Sequence, residues 1–188
     1  MSSTPNPLDE IFQAVLGGDE DAFDALFRRL HAPLLGYARS LRAEQGEAAD
    51  AVQNAFVRLW TQRETFDASG SVRALLYTMV RNDMLSRKRK ESRRRELRGA
   101  HAGPEKGPRT PSEHAAGRAL RQRVQKWIAA LPERRQEAFR LSRFADLTHE
   151  EIARVMDISP RTVETHIRLA LEDLRERLTA YDPDLLPS

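Results

Sequence analysis

The chain has 188 residues, with 31 Lys and Arg against 28 Asp and Glu, which gives a formal net charge of +3. It contains no cysteine, which excludes disulfides, thiolate metal sites and cysteine nucleophiles. The polar N-terminus does not resemble a signal peptide and no stretch approaches the roughly 18 apolar residues of a membrane span, so we expect a cytoplasmic protein without membrane insertion.

Apolar residues at helical spacing predict a helical bundle over residues 8–97. Three stripes carry the pattern, at 23–41, 52–60 and 72–80. Gly17-Gly18 and the DASGS stretch at 67–71 are typical helix stops, so residues 66–71 are expected to form the main exposed loop. No strand alternation accompanies these stripes, and the predicted fold class is therefore all-α.

The composition changes after the bundle. Residues 87–98, RKRKESRRRELR, include eight Arg or Lys and two Glu, and such a run either follows phosphates or forms a solvated helix end. Residues 99–112, GAHAGPEKGPRTPS, hold Gly, Pro and Ser without an apolar period. We therefore place a flexible linker at 98–112, between two helical domains.

A second domain is predicted at 113–180, where helical spacing returns. Thr148 and Glu151 have the spacing of a capping box, and Asp157 stands where a tight turn often needs a left-handed residue. Ser159 can cap the next helix, with Pro160 at its first position. This pattern predicts a helix-turn-helix that reads the major groove, and its alternative is an ordinary helical hairpin.

The exposed face of the second helix holds the candidate DNA contacts. Arg161 and Arg168 suit phosphate or guanine, whereas Glu164 suits the positive helix end and can accept from cytosine N4. The full set is Arg161, Thr162, Glu164, Thr165, His166 and Arg168.

Catalytic motifs are missing from the chain. HEEIA at 149–153 is not HExxH because Ala153 replaces the second histidine, and there is no P-loop or GxGxxG. The five histidines are scattered. We therefore expect a protein that is not an enzyme and that uses no metal or cofactor.

Four sequence blocks, in this order and spacing, resemble the extracytoplasmic-function (ECF) class of bacterial sigma factors in the sigma-70 family. GDEDAFDALFRRL resembles the opening helix, DAVQNAFVRLW region 2.2, and SVRALLYTMVRNDMLSRKRK regions 2.3 and 2.4. LPERRQEAFRLSRFADLTHEEIARVMDISPRTVETHI resembles region 4. The resemblance covers residues 17–180 and implies a subunit that binds core RNA polymerase, recognises −10 and −35 promoter elements and helps to open DNA.

The resemblance also implies roles for individual residues. The loop at 66–71 corresponds to the segment that captures a flipped base, although Phe66 has a core anchor as its alternative role. Candidate −10 contacts are Phe66, Asp67, Ser69, Arg73, Tyr77, Arg81, Asn82, Arg87 and Lys88. Candidate contacts to the β′ clamp helices are Asp50, Gln53, Asn54 and Arg58, while Phe56 and Trp60 are expected in the core.

Some positions depart from the family pattern. Asn54 replaces a usual Glu, Leu75 replaces a frequent Trp, and ETH stands at 164–166 where a basic residue, Ser and Arg are common. The −35 sequence read by other members therefore does not transfer. The resemblance also implies contact with the β flap of polymerase and with an anti-sigma factor.

Two other functions remain compatible with parts of the chain. LTHEEIARVMDISPRTVETHI also resembles LuxR-type output domains, which would make the protein a conventional transcription regulator. A sigma-mimicking adaptor would bind an anti-sigma factor without DNA; Glu164 favours that reading and the basic run 87–98 argues against it.

Overall fold

The computed structural model describes residues 7–41, 45–98 and 115–182. Over these ranges the backbone is all-α, as predicted, with eight α-helices, one short 3-10 segment and no strand. The helices are α1 Pro7–Leu16, α2 Glu20–Ser40, α3 Gln45–Thr61, α4 Val72–Arg98, α5 Ala115–Ala129, α6 Glu133–Phe144, α7 His149–Met156 and α8 Pro160–Tyr181, with the 3-10 segment at Arg63–Thr65. Apart from residue 98, the predicted linker lies outside the described residues, and none of the helices given above is long and apolar enough to cross a bilayer.

Helix α1 is an element that the sequence pattern does not single out. Leu8, Phe12 and Val15 follow helical spacing and are all buried, with Phe12 only 1% exposed. The helix ends at the predicted glycine stop, where Gly18 takes a φ of +89° that other residues rarely adopt. Helix α1 packs on α2 and covers one side of the first half of the chain, which consists of α1 to α4.

Helices α2, α3 and α4 bury the three predicted stripes against one another. Asp19 caps α2 by accepting a hydrogen bond from the Ala22 amide at 2.9 Å. Leu26, Leu59 and Leu76 have no exposed surface, and each such side chain contributes about 1.5–3 kcal/mol through burial. Phe56 is buried and Trp60 packs partly against the same core, so the expected structural role of both is confirmed.

Helices α7 and α8 form the predicted helix-turn-helix. Thr148 Oγ1 accepts from the Glu151 amide at 3.2 Å, and the Thr148 amide donates to Glu151 Oε2 at 2.7 Å. Asp157 takes the left-handed conformation with a φ of 55°, and Ser159 caps α8 just before Pro160. The capping box, the turn residue and the second cap are therefore all confirmed.

The two halves of the chain share one apolar core. Helix α4 packs on α7, and α2 packs on α6. Leu76 of the first half lies in the same buried cluster as Leu141, Ile152 and Val155 of the second. The prediction of two domains joined by a linker did not include this contact. It determines which candidate residues face solvent.

Candidate nucleic-acid interface

The N-terminal end of α8 lies beside the start of α7 and forms an open, charged cleft. Its lining residues are His149, Glu150, Pro160, Arg161, Glu164, Thr165 and Arg168. The buried Val163 and Ile167 hold the opposite face of the helix against the core. The predicted separation of an inner apolar face from an outer polar face is therefore present.

The two arginines of this cleft differ in their partners. The Arg161 side chain is exposed and forms no hydrogen bond or ion pair with any residue that the structure describes. Arg168 Nη1 lies 2.6 Å from Glu172 Oε1 one helical turn away, and both side chains are largely exposed. Exposed pairs of this kind contribute about 0.3–0.5 kcal/mol, so a phosphate can replace Glu172 at little cost.

Among the remaining candidates on α8, the two threonines form local hydrogen bonds and the histidine is half-buried. The Thr162 and Ser159 hydroxyls lie 2.7 Å apart, and Thr165 donates to the Arg161 carbonyl at 3.0 Å. His166 is half-buried, and its Nδ1 has no partner among the described residues. Burial, followed by the charges of Arg135 and Arg134, lowers the pKa of His166. The lowered pKa reduces the positive charge that His166 brings to this face of α8.

The loop at 66–71 is organised by an aspartate. Asp67 Oδ1 accepts from the Ser69 amide at 2.8 Å and Asp67 Oδ2 accepts from the Ser69 hydroxyl at 2.7 Å. These two bonds lower the pKa of the Asp67 carboxyl. Phe66 is half-buried against the core, in agreement with its anchoring role, and Gln13 of α1 donates to the Ala68 carbonyl at 3.0 Å. The loop thus presents fixed polar edges and is tied to α1.

Arg73, Tyr77 and Arg81 share one face of α4, as their spacing predicts, but that face is turned towards the second half. Arg73 Nη1 donates to the Ala145 carbonyl at 2.9 Å in the connection between α6 and α7. Tyr77 is 1% exposed, with its ring centroid 5.0 Å from that of Tyr37. Burial raises the pKa of Tyr77 to about 12.

A buried polar cluster joins the two halves at Glu137 of α6. Arg81 Nε donates to Glu137 Oε1 at 2.7 Å, and the Tyr37 hydroxyl donates to the same oxygen at 2.8 Å. The Arg81 and Glu137 side chains are 7% and 6% exposed. Burial, with the Glu137 charge second, raises the pKa of Tyr37 well above its usual value. In this closed arrangement the candidate −10 residues Tyr77 and Arg81 are thus covered.

Other candidate −10 residues on α4 remain at the surface. Asn82 and Lys88 are exposed, and Lys88 Nζ lies 2.8 Å from Glu133 Oε1. Arg87 lies 2.9 Å from Asp83 and 3.7 Å from Asp50, which is itself a candidate polymerase contact. Further along the helix, Lys90, Arg93 and Arg94 join Arg87, Glu47 and Glu91 around an open cleft. This end of α4 is a solvent-facing basic surface suited to phosphates.

The outer face of α3 carries the candidate polymerase contacts. Asp50, Gln53, Asn54 and Arg58 are all exposed. Among them lies Val57, a valine with 52% of its surface exposed that sequence reasoning missed. Its spacing from Gln53 and Asn54, off the apolar stripe, was the available signal. A single exposed apolar side chain is common on protein surfaces, so Val57 by itself adds one accessible apolar contact to this polar face.

Metal-binding clusters are not part of these surfaces. No group of three or more His, Cys, Asp or Glu suited to a metal ion occurs within residues 7–41, 45–98 and 115–182.

Two sequence families match the chain. The family described as Sigma-70 region 2 matches residues 26–94, and Sigma-70, region 4 matches residues 121–174. ECF RNA polymerase sigma factor RpoE of Cereibacter sphaeroides is 29% identical over 165 residues, covering 86% of this chain and 88% of that protein. ECF RNA polymerase sigma factor SigK of Mycobacterium bovis is 26% identical over 174 residues, covering 91% and 93%.

Solved structures share the fold. CnrH in complex with the cytosolic domain of CnrY matches with a TM-score of 0.65 and 23% identity, covering 93% of this chain and 99% of that one. The sigma factor RpoE in complex with the anti-sigma factor NepR from Bartonella quintana matches with a TM-score of 0.69 and 23% identity, covering 84% and 96%. At these identities the likeness concerns the fold alone.

Proposed function

This chain belongs to the sigma-70 family, in its ECF class, and we propose that it is a dissociable promoter-specificity subunit of RNA polymerase. In this role it binds core polymerase, recognises −10 and −35 elements and helps to stabilise opened DNA. The observation that carries the proposal is the combination, in one chain, of a region 2 bundle with a basic α4 and a region 4 helix-turn-helix. The polymerase supplies the chemistry, and this subunit supplies the choice of promoter.

The −35 contact is assigned to the outer face of α8. The unpaired guanidinium of Arg161 and the weakly paired Arg168 lie on this face, which also carries the exposed Glu164. The cleft is thus close to neutral, and its phosphate affinity is modest. Affinity shared with a second site on the same chain compensates for this, because linked binding events reinforce one another.

The −10 contact is assigned to the loop at 66–71 and the face of α4. Asp67 and Ser69 offer polar edges to a flipped base, and Asn82 and Lys88 are accessible. Tyr77 and Arg81 become accessible only when α6 and α7 move away from α4, whereas the Arg73 side chain is already 25% exposed and must exchange its bond to the Ala145 carbonyl. The proposed function therefore includes an opening of the closed arrangement before or during promoter engagement.

Three protein contacts are proposed, two with RNA polymerase and one with an anti-sigma factor. The outer face of α3 is proposed to bind the β′ clamp helices of polymerase through Asp50, Gln53, Asn54 and Arg58 around Val57, and the second half is proposed to contact the β flap. The solved structures of similar fold contain a partner protein, in one case named as an anti-sigma factor. We propose that this chain too has an anti-sigma partner.

The test of the proposed function is transcription initiation. The purified chain is added to core RNA polymerase with genomic DNA fragments, and promoter-dependent transcripts are measured. The proposal predicts defined start sites that require the chain. A conventional regulator would bind duplex DNA alone without programming core polymerase, and a sigma mimic would do neither. Failure to bind core polymerase would overturn the proposal.

Val57 provides the sharpest variant for polymerase binding. Val57→Asp places a charge at the centre of the α3 face, and we expect a loss of affinity for core polymerase of at least about 30-fold, the size of a hot-spot effect. Ala180→Asp adds the same charge to an exposed site on α8 and serves as the control. Affinities are measured with labelled protein by fluorescence anisotropy. Equal losses in the two variants would rule out the assigned face.

Replacing Arg161 and Arg168 together with alanine is expected to weaken −35 recognition while leaving polymerase binding intact. Loss of an arginine that contacts a base is expected to cost about 1–3 kcal/mol of promoter binding. Loss of one that contacts phosphate is expected to weaken binding and to reduce its salt dependence. Holoenzyme affinity for promoter fragments is measured at several salt concentrations. Arg143→Ala, which removes an exposed charge from α6, is the control. Parallel losses of promoter and polymerase binding would contradict the assigned roles.

A further inference from the structure

A small cleft lies at the junction of the two halves, next to the buried face of α4 and separate from the exposed surfaces of α3 and α8. The first half contributes Pro33, Gly36, Tyr37 and Tyr77, and the second contributes Gln125, Arg140, Phe144 and Ala145. Its volume is about 200 Å³. An apolar cavity of about 150 Å³ accommodates benzene, so this cleft has room for one ring and a small substituent.

Arg140 is the one cation among these lining residues, and it is unmatched. Its Nε is buried without a hydrogen-bond partner, and its side chain forms no hydrogen bond or ion pair with any residue in the described ranges. Burial alone lowers the pKa of Arg140, with no charged neighbour contributing to the shift. Of its three guanidinium nitrogens only Nε is buried without a partner, and a buried, charged N–H group normally has a hydrogen-bond acceptor.

The surroundings of Arg140 define the rest of a ligand. The two tyrosine rings, Pro33, Ala145 and the half-exposed Phe144 provide mostly apolar contacts. Arg140 is the one cationic group among the lining residues, with the Gln125 amide as a neutral donor, and a carboxylate is satisfied by the two parallel N–H groups of one guanidinium. A single carboxylate on an apolar ring fits both the charge and the volume.

We propose that the cleft between the two halves binds a small aromatic monocarboxylate, with its carboxylate on Arg140 and its ring against Tyr37, Tyr77 and Phe144. Because both halves line the cleft, the ligand binds the closed arrangement and stabilises it by mass action. Closure also covers Tyr77 and Arg81, so such a ligand would reduce promoter engagement. This last consequence rests on the proposed function, whereas the binding site does not.

The test is thermal unfolding of the full chain with benzoate and phenylacetate as probes. We expect a rise in Tm of about 3–6 °C at ten times Kd. Benzyl alcohol, which lacks the charge, and acetate, which lacks the ring, should each give less than a third of that rise at equal concentration and ionic strength. The proposal would be overturned if all four compounds raised Tm equally. It would also be overturned if neither benzoate nor phenylacetate raised Tm at ligand concentrations up to 50 times the highest soluble protein concentration.

Two variants locate the site. Arg140→Met removes the charge and should abolish the benzoate shift, while Arg143→Met removes an exposed charge from the same helix and should retain it. Gly36→Leu is the second variant, because a Cβ there meets no atom within 4 Å and the larger side chain would occupy the cleft. A benzoate shift that survives either Arg140→Met or Gly36→Leu would refute the assigned site. Because the readout is Tm, failure here is distinct from failure to program polymerase.

Discussion

Replacing Glu137 with alanine is expected to separate the two halves of the free protein. The substitution leaves the Arg81 guanidinium buried without its carboxylate and removes the acceptor of the Tyr37 hydroxyl. Breaking a buried ion pair in this way costs about 3–5 kcal/mol, because an uncompensated charge is left in the interior. Opening exposes part of the apolar core that the two halves share, but it leaves the helices of each half in place, so we expect it to cost less than complete unfolding.

Two measurements report the opening. Small-angle scattering should show a larger radius of gyration for Glu137→Ala than for the parent chain. Tyrosine absorbance against pH provides the second readout, since Tyr77 titrates near 12 in the closed form and the pKa of Tyr37 is also raised. In an open form both should titrate closer to the usual value of about 10. Because the pKa of Tyr77 is higher in the closed form than in the open form, closure is favoured below about pH 10. This stabilisation is lost as the pH rises from about 10 towards the closed-form value of about 12.

Matched variants separate charge burial from charge loss. Glu133→Ala removes a half-exposed carboxylate that pairs with Lys88 and lies on α6, as Glu137 does. This variant should leave the halves closed. The triple variant Arg81→Met, Glu137→Leu, Tyr37→Phe replaces the buried pair and the hydroxyl bound to it with apolar groups and should restore closure. A radius of gyration unchanged in Glu137→Ala, together with unchanged tyrosine titration, would contradict the role given to this cluster.

Phe12→Ala is expected to destabilise the first half by about 3–5 kcal/mol, because it removes a fully buried ring from the contact of α1 with the bundle. For a chain of this size each kcal/mol shifts Tm by roughly 2–4 °C, and the melting temperature should therefore fall by about 10 °C. Glu10→Ala, on the exposed face of the same helix, should change Tm by less than about 2 °C.

The same variant tests the support that α1 gives to the loop at 66–71. Gln13 holds the Ala68 carbonyl, and a loosened α1 should free this loop. We expect Phe12→Ala to weaken binding of a single-stranded −10 oligonucleotide by holoenzyme at temperatures where the chain is still folded. If Phe12→Ala lowers Tm but leaves the affinity for the −10 oligonucleotide unchanged, α1 stabilises the fold without supporting the loop.

Local signals were sufficient to predict the fold and the helix-turn-helix. Thr148, Glu151, Asp157 and Ser159 act on neighbouring backbone groups, and short-range spacing therefore determines their roles. Helical periodicity also predicts that Arg73, Tyr77 and Arg81 share a face, because that is a property of one helix.

Periodicity does not reveal what covers a helix face. The burial of Glu137 was not predictable, since it lies in the charged run ERRQEAFR and its partners are 56 and 100 residues away in the chain. Val57 was missed because it lies off the apolar stripe of α3, and the stripe was the only pattern used to interpret that helix. The unmatched charge of Arg140 likewise depends on packing between elements distant in sequence.

In the proposed function, closure and promoter binding compete for one side chain, that of Arg81. Arg81 donates to Glu137 when the halves are packed, and in the proposed function it donates to DNA when they are apart. The two states therefore exclude each other, and the apparent promoter affinity of the free chain equals its intrinsic affinity multiplied by the open fraction. Every 1.4 kcal/mol added to closure lowers this affinity about tenfold. In the proposed function, the strength of one buried ion pair would therefore set a threshold for transcription, adjustable by substitutions on α6 that never touch DNA.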